Sequence, residues 1–334
     1  MRITSDLLHR FARQAVNQQK RSQPDLHAAY LAGSVLTQDP LLGGSTDIDM
    51  VLVHRFQVNV ARETIPVIPE ISLDIRHHHM DDYSQHRQLR HDPWLGYPLT
   101  FNHILLLDSD HWLEFIQAGV SAGFHRSDTI LIRVRNLLKG ARDNWFNLMQ
   151  EPTVDMHNWT KLYLETLDLT SQSAAGLIGP PLTRRRFITD FRQRLAELDS
   201  PEILDSLLSL LGFSSEYPKE LSSWIESFEK EMVSLSSGDH LPVHLAPCRH
   251  TYYLKALRHL STSEHPEDSL WPLLRTWLDL HLIKPAGSNQ TGDFRRFLES
   301  LGLTNENRQN KIAALDAFLD QTDTKIEDWE SRYG

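Results

Sequence analysis

Two aspartates stand two residues apart at the start of an apolar run: Asp47 and Asp49 open the stretch STDIDMVLV, residues 45–53. On a strand, side chains at this spacing project from the same face, roughly 6.5–7 Å apart at Cα. Neighbouring carboxylates repel and aspartate is a poor strand residue, so the pair is costly without a cation. Mg²⁺ binds one or two protein carboxylates together with phosphate oxygens and water. The pair therefore predicts a divalent metal site.

A third carboxylate and a Gly-Ser pair extend this prediction. Asp74 interrupts the apolar run around Leu73 and Ile75, which we expect to form a strand beside the first pair. Three acids on adjacent strands can hold two metal ions about 3.5–4 Å apart for in-line phosphoryl or nucleotidyl transfer. Another strand is expected to end at Gly33-Ser34. Gly33 would let a phosphate approach the backbone, and Ser34 offers a hydroxyl and an amide donor to its oxygens.

Simpler interpretations of these residues exist. Asp47 and Asp49 would cap a turn, and Asp74 would lie on a solvated strand face, if no sheet formed here; the apolar run 50–53 favours the sheet. Arg76, two residues after Asp74, would either contact a phosphate or pair with the acids. Consecutive histidines at 77–79 point to alternate strand faces, which argues against a zinc site.

Together the motifs resemble the DNA polymerase β-like nucleotidyltransferase superfamily, whose hallmark is Gly-Ser, a loop, Asp-x-Asp and a distant third acid. By position, Gly33 and Ser34 match the nucleotide-phosphate loop, Asp47 and Asp49 the metal pair, and Asp74 the third acid. The resemblance implies two Mg²⁺ ions, with ATP or another nucleoside triphosphate as substrate. The loop at 35–42, VLTQDPLL, is longer than in many members and lacks their Ala-Arg-Gly pattern.

The 334 residues suffice for about two domains, and their periodicity changes along the chain. Up to about residue 120, short apolar runs alternate with helical patterns; beyond it, apolar residues recur with helical spacing. We therefore predict an α+β fold: a nucleotidyltransferase-like mixed sheet with flanking helices at 1–122, followed by an all-helical C-terminal domain at 123–334. Predicted strands are 27–32, 48–53, 71–75 and 104–107. Predicted helices are 5–20, with Ser5 as a candidate cap, a long helix whose apolar stripe covers 130–148 and which Ser127 would cap, and 156–177, 184–198, 201–212, 218–235, 247–262, 267–283 and 309–321.

Composition limits the partners and the compartment. The net charge is −10, from 34 basic and 44 acidic residues, which disfavours nucleic acid and suits a neutral or cationic small acceptor. One cysteine, Cys248, can form neither an internal disulfide nor a cysteine-based zinc site. The chain lacks a long apolar window and an apolar leader after Met1, so we expect a cytoplasmic protein without membrane contact. A homodimer is compatible with the sequence.

These observations predict a magnesium-dependent nucleotidyltransferase that moves a nucleoside monophosphate, AMP from ATP, onto a hydroxyl of a small acceptor such as an aminoglycoside-like antibiotic. Asp47, Asp49 and Asp74 would bind the metals, and Asp74 or a helical-domain residue such as Glu165 would act as base. The family's layout implies that Lys161, on the helix at 156–177, reaches the nucleotide. The alternatives are a protein- or tRNA-directed adenylyltransferase of the toxin–antitoxin type and a non-catalytic nucleotide-binding regulatory module.

Overall fold

The computed structural model describes residues 2–101, 104–150, 155–214, 218–235, 241–283 and 292–334. Contacts divide the chain into two units. Unit 1 comprises residues 1–129 and 238–256, and unit 2 comprises residues 130–237 and 257–334. This division differs from the predicted one at 122/123, because a segment from the predicted helical domain packs with the sheet.

Unit 1 is built on one mixed sheet of five strands in the order β3-β4-β2-β1-β5. The central strands β2 and β4 run parallel, and each of the other neighbouring pairs is antiparallel. This confirms the predicted mixed sheet. The strands are β1 (Leu26–Ala32), β2 (Thr46–His54), β3 (Arg62–Ile68), β4 (Ile71–His79) and β5 (Leu105–Asp108).

Helices flank this sheet, and α1 (Ser5–Ser22) shows how the sequence sets them. Its N-cap is Thr4, whose hydroxyl accepts a hydrogen bond from the Leu7 amide. Leu8, Ala12 and Val16 recur at helical spacing and are buried in the core that contains the sheet. The other helices of the first 124 residues are α2 (His86–His91), α3 (Pro93–Gly96) and α4 (Trp112–Phe124).

Unit 2 contains helices and short 3-10 turns but no strand within its described residues, which confirms the predicted helical C-terminal region. Asp155 caps α6 by accepting hydrogen bonds from the amides of His157 and Asn158. Helices α5 and α10 cross the boundary between the units. The helices are α5 (Ser127–Gln150), α6 (Met156–Ala175), α7 (Phe187–Glu197), α8 (Pro201–Leu210), α9 (Pro218–Val233), α10 (His250–Ser261), α11 (Leu270–Leu282), α12 (Gly292–Ser300) and α13 (Arg308–Tyr333).

None of the helices in the described ranges combines the length and the apolar character needed to cross a membrane.

Candidate functional site

The register of the two parallel strands brings the three predicted carboxylates together in unit 1. Asp49 on β2 pairs directly with Asp74 on β4, and Asp47 pairs with Ser72. Asp47 and Asp74 are almost fully buried, whereas Asp49 is partly exposed. The apolar neighbours of these acids, Ile48, Leu73 and Ile75, lie in the hydrophobic core. The alternation of each strand thus directs its apolar side chains to the core and leaves its acids on the other face.

Gly33 and Ser34 begin a 3-10 turn at the end of β1, where Ala32 pairs with Asp49. Gly33 has φ +66°, and a Cβ there would overlap the Asp49 carboxylate. Glycine is therefore required both by the left-handed backbone and by the close approach of Asp49. The Ser34 hydroxyl lies 3.3 Å from the Thr46 hydroxyl, one residue before the aspartate pair. The turn, including the predicted phosphate loop, thus lies beside the acids.

Two arginines that the sequence analysis did not identify contact these acids. Arg249, just before α10, pairs through one guanidinium nitrogen with Asp47 Oδ2 and through the other with Asp74 Oδ2, at 2.5 Å for the latter. Arg62 on β3 donates to both oxygens of Asp74, at 2.7 and 2.5 Å. The Ser72 hydroxyl donates to Asp47 Oδ1. Asp47 and Asp74 are therefore neutralised by guanidinium groups.

The ion pairs give the three acids different electrostatic surroundings, so that the pKa values of Asp74 and Asp49 shift in opposite directions. Burial by itself would raise the pKa of Asp74, but the hydrogen bonds from Arg62 and the charges of Arg249 and Arg62 hold it below its ordinary value. Asp49 forms no side-chain hydrogen bond or ion pair with another described residue. Burial and the neighbouring charges of Asp74 and Asp47 raise its pKa to about 7. Asp49 is the acid that most needs a further cation.

The donor set suits a hard divalent cation, since three carboxylates share one face and one of them lacks an ion pair. The same carboxylates are also the partners of Arg249, whose guanidinium bridges two of them. In the described parts of the chain, no group of three or more His, Cys, Asp or Glu side chains is close enough together to hold a metal ion. The predicted ligands thus have the right chemistry, but in this state an arginine lies between two of them.

Lys161 lies in unit 2 on α6, outside the unit that carries the acids. It is half exposed, and its ammonium lies 3.9 Å from the carboxylate of Glu165, one helical turn on. Arg76 lies on β4 two residues beyond Asp74 and forms no ion pair with a described residue. The pKa of Asp49 is raised overall, and the positive charge of Arg76 opposes that rise, which agrees with an electrostatic role beside the acids.

The residues missed by sequence reasoning carried little local signal. Arg62 opens the segment RETIPVI, which was not predicted as a strand because Pro66 interrupts it. Arg249 lies 175 residues from Asp74 in sequence, and no motif surrounds it. The one available signal was that Arg249 is a basic residue of the C-terminal half that belongs to no exposed face of a predicted helix.

Neither a protein-family model nor a curated protein matches the chain. Among solved structures, it is similar to a nucleotidyltransferase-like protein from Exiguobacterium sibiricum 255-15. The two are 10% identical, and the alignment covers 90% of this chain and 91% of the other with a TM-score of 0.33. A likeness at this level carries no conclusion about activity, and the functional proposal depends on the geometry of unit 1.

Proposed function

We propose that the chain is a magnesium-dependent nucleotidyltransferase that transfers a nucleoside monophosphate, AMP from ATP, to a hydroxyl of a small acceptor. The observation that carries this proposal is the in-register pairing of Asp49 with Asp74, with Asp47 on the same strand and the Gly33 turn against Asp49. Such an assembly of acids beside a glycine turn suits a metal-bound triphosphate.

The residues of this chain have separate roles in the proposal. Asp47 and Asp49 would hold the metal, and a bound divalent ion would neutralise the triphosphate and the leaving pyrophosphate. Gly33 admits phosphate oxygens to the backbone, and Ser34 donates its hydroxyl to them. Arg76 lies near Asp49 with no ion pair to a described side chain, so its guanidinium can pair with a phosphate.

The surroundings of Asp74 bear on whether it can act as the base that takes the proton from the acceptor hydroxyl. In the transfer, the acceptor oxygen bonds to the α-phosphorus, the bond from that phosphorus to pyrophosphate breaks, and the hydroxyl proton passes to a base of the protein or to water. A base works best with a pKa near the working pH. Because Arg62 and Arg249 lower the pKa of Asp74, its ion pairs favour a ligand role over a base role.

The acceptor class follows from charge. The net charge of −10 suits a cationic small molecule, such as an aminoglycoside-like antibiotic, better than an RNA. Lys161 would reach the nucleotide as the family's layout implies, and its substitution by Gln would then weaken nucleotide binding. We propose that the protein acts in the cytoplasm.

A non-catalytic nucleotide-binding module is the second candidate. One observation favours it: Arg249 occupies Asp47 and Asp74, the residues that catalysis would need for metal binding. In such a module the arginine would be a permanent substitute for the metal.

The test is pyrophosphate release by the full chain with Mg²⁺ and each of the four ribonucleoside triphosphates. The acceptors are aminoglycosides, tRNA and a protein mixture, and α-labelled nucleotide identifies the labelled product. We expect release with ATP and a small acceptor, abolished in the Asp47→Asn/Asp49→Asn double variant. Label on tRNA or protein would redirect the proposal to those acceptors. Nucleotide binding without release under any condition would instead support the non-catalytic module.

A further inference from the structure

Arg249 is a buried cation placed between two carboxylates of the candidate site. Its side chain is only 5% exposed, and its guanidinium bridges Asp47 on β2 and Asp74 on β4. Burial of an unpaired guanidinium is very costly, so an arginine persists there only with well-placed anionic partners. Burial would lower the pKa of Arg249, but Tyr253, Asp47, Tyr252 and Asp74 hold it well above its ordinary value. The group is therefore a permanent positive charge.

The segment that carries Arg249 belongs to unit 1 and contacts the rest of that unit at further points. Within the segment, the guanidinium lies 4.8 Å from the centre of the Tyr252 ring and 5.8 Å from that of Tyr253. Lys255 forms a 3.0 Å ion pair with Glu70, the residue just before β4. Gly43 lies so close that a Cβ there would overlap the Lys255 carbonyl. Residues 247–256 are therefore packed against the rest of unit 1 through several residues, and not through Arg249 alone.

The oxygens that bind Arg249 are among those a metal ion would need. Asp47 Oδ1 accepts a hydrogen bond from Ser72, so Oδ2, its other oxygen, is the one that meets Arg249. Both oxygens of Asp74 already accept from Arg62, and Oδ2 also accepts from Arg249. A carboxylate has about four lone-pair sites, and a cation in direct contact excludes a second at the same position. Arg249 and a metal ion thus compete for the same carboxylates.

We propose that Arg249 is an intramolecular cation that competes with a divalent metal ion for Asp47 and Asp74. Metal binding at these acids then requires residues 247–256 to release the guanidinium. The arginine keeps the acids neutralised before metal and nucleotide arrive, which avoids the repulsion of buried carboxylates. The inference rests on the proposed function only for the metal site, and its test measures metal binding rather than transfer.

The first experiment titrates the full chain with Mn²⁺ as a paramagnetic probe and compares wild type with Arg249→Gln and Arg249→Lys. Coupling of close, buried charge pairs is large enough that loss of the competing charge should tighten Mn²⁺ binding about tenfold or more in Arg249→Gln. Arg249→Lys keeps the charge but loses the two-pronged contact, so we expect a smaller gain. Arg258→Gln is the matched control, because Arg258 lies on α10 in an exposed pair with Glu229; its Mn²⁺ affinity should equal that of wild type.

A second readout can be taken on the wild-type chain. Cys248 is the only cysteine of the chain and precedes Arg249, and it is partly buried. If metal displaces the segment, saturating Mn²⁺ should speed the reaction of Cys248 with a thiol reagent several-fold in the wild-type chain. Arg249→Lys, which retains a charge, should show the same acceleration at lower Mn²⁺ concentration. This measurement remains informative if Arg249→Gln fails to fold.

Two results would overturn the inference. One is Mn²⁺ affinity that is equal in wild type and in the folded Arg249 variants, and the other is Cys248 reactivity that saturating Mn²⁺ leaves unchanged. Failure of the proposed function looks different: Arg249 variants would bind Mn²⁺ more tightly while no chain released pyrophosphate. Conversely, transfer by wild type with equal Mn²⁺ affinity in all chains would retain the function and remove the competition.

Discussion

At the scale of single residues, Asp47 and Asp49 look equivalent in sequence but differ in their surroundings. Asp47 is buried and paired with Arg249, whereas Asp49 is partly exposed and unpaired with any described side chain. Repulsion between the two carboxylates suggests that removing either charge stabilises the fold. The ion pair changes that expectation for Asp47, since loss of one partner leaves a buried charge uncompensated.

We therefore predict that Asp47→Asn and Asp49→Asn shift stability in opposite directions. In metal-free buffer with EDTA at pH 8, Asp47→Asn should lower the free energy of unfolding by about 3–5 kcal/mol, the typical cost of breaking a buried pair. Asp49→Asn should raise it. Urea denaturation of the full chain measures both, and two changes of the same sign would contradict the assigned pairing.

The advantage of Asp49→Asn should depend on pH. The pKa of Asp49 is raised from 3.8 to about 7 in the fold, so between these values the unfolded chain releases a proton that the folded chain keeps. Stability of wild type relative to Asp49→Asn therefore falls as pH rises from about 4 to about 7, and the gap is constant above. Denaturation at pH 4, 5.5, 7 and 8 measures the gap, and a pH-independent gap would refute the raised pKa of Asp49.

Gly33 permits a test with an internal control. Gly33→Ala adds a Cβ that overlaps the Asp49 carboxylate at φ +66°, whereas Gly44→Ala at φ +76° meets no atom within 4 Å. Both pay the left-handed backbone cost of about 1 kcal/mol, but only Gly33→Ala must also displace Asp49. We expect Gly33→Ala to lower the free energy of unfolding by clearly more than Gly44→Ala. Equal losses in urea denaturation would mean that Asp49 moves away freely.

At the scale of elements, the parallel pairing of β2 and β4 also places His54 and His77 side by side. Their ring nitrogens lie 3.0 Å apart, with Asp25 3.4 Å from His54 and Glu63 3.2 Å from His77. Burial lowers the pKa of His54; Asp25 opposes this shift, and His77 adds to it. The far ends of these strands thus carry a histidine pair that favours the neutral form of His54.

This arrangement predicts acid sensitivity. Below the ordinary histidine value of 6.5, the unfolded chain binds a proton that folded His54 resists, so stability is lost as pH falls. One such proton contributes a slope of at most about 1.4 kcal/mol per pH unit. The stability of His54→Gln relative to wild type should therefore rise as pH falls from 6.5 to 5, whatever its effect on absolute stability, because the opposite contribution of Asp49 is present in both chains. A stability difference between the two chains that does not change with pH would refute the prediction.

At the scale of the whole molecule, unit 1 is discontinuous in sequence, because residues 238–256 join residues 1–129. A fragment that ends near residue 129 retains Arg62 but lacks Arg249. Its Asp47 would then face Asp49 and Asp74 without its guanidinium partner.

We predict that Asp47→Asn changes sign between the two contexts. In the full chain the substitution should destabilise, because it breaks the pair with Arg249. In a fragment of residues 1–129 it should be neutral or stabilising, because the amide oxygen of Asn can still accept from Ser72 while the repulsion between carboxylates is removed. Urea denaturation of the four proteins in EDTA tests this, provided that the wild-type fragment unfolds cooperatively. Destabilisation of equal size in both contexts would show that Arg249 is not the partner that matters.

Much of the architecture could be predicted from local patterns. Strands β1, β2 and β4 coincide with short apolar runs, which the aspartates enter in β2 and β4, and most helices follow apolar residues at helical spacing. The edge strand β3 was missed because Pro66 interrupts it, although an edge position tolerates proline. Helix α12 was also missed, and α13 extends to Tyr333 rather than ending at 321, because its second half has many charged residues and few apolar ones.

The sequence by itself determined the chemistry of the candidate site. Asp47, Asp49, Asp74, Gly33 and Ser34 are local signals, since a strand's period of two and glycine's tolerance of positive φ act over a few residues. Only the tertiary structure decided which cation meets those acids. Arg249 reaches Asp74 across 175 residues, and Arg62 reaches it from a neighbouring strand. Ion pairs of this range depend on how the chain folds back onto its sheet, and no local pattern encodes that.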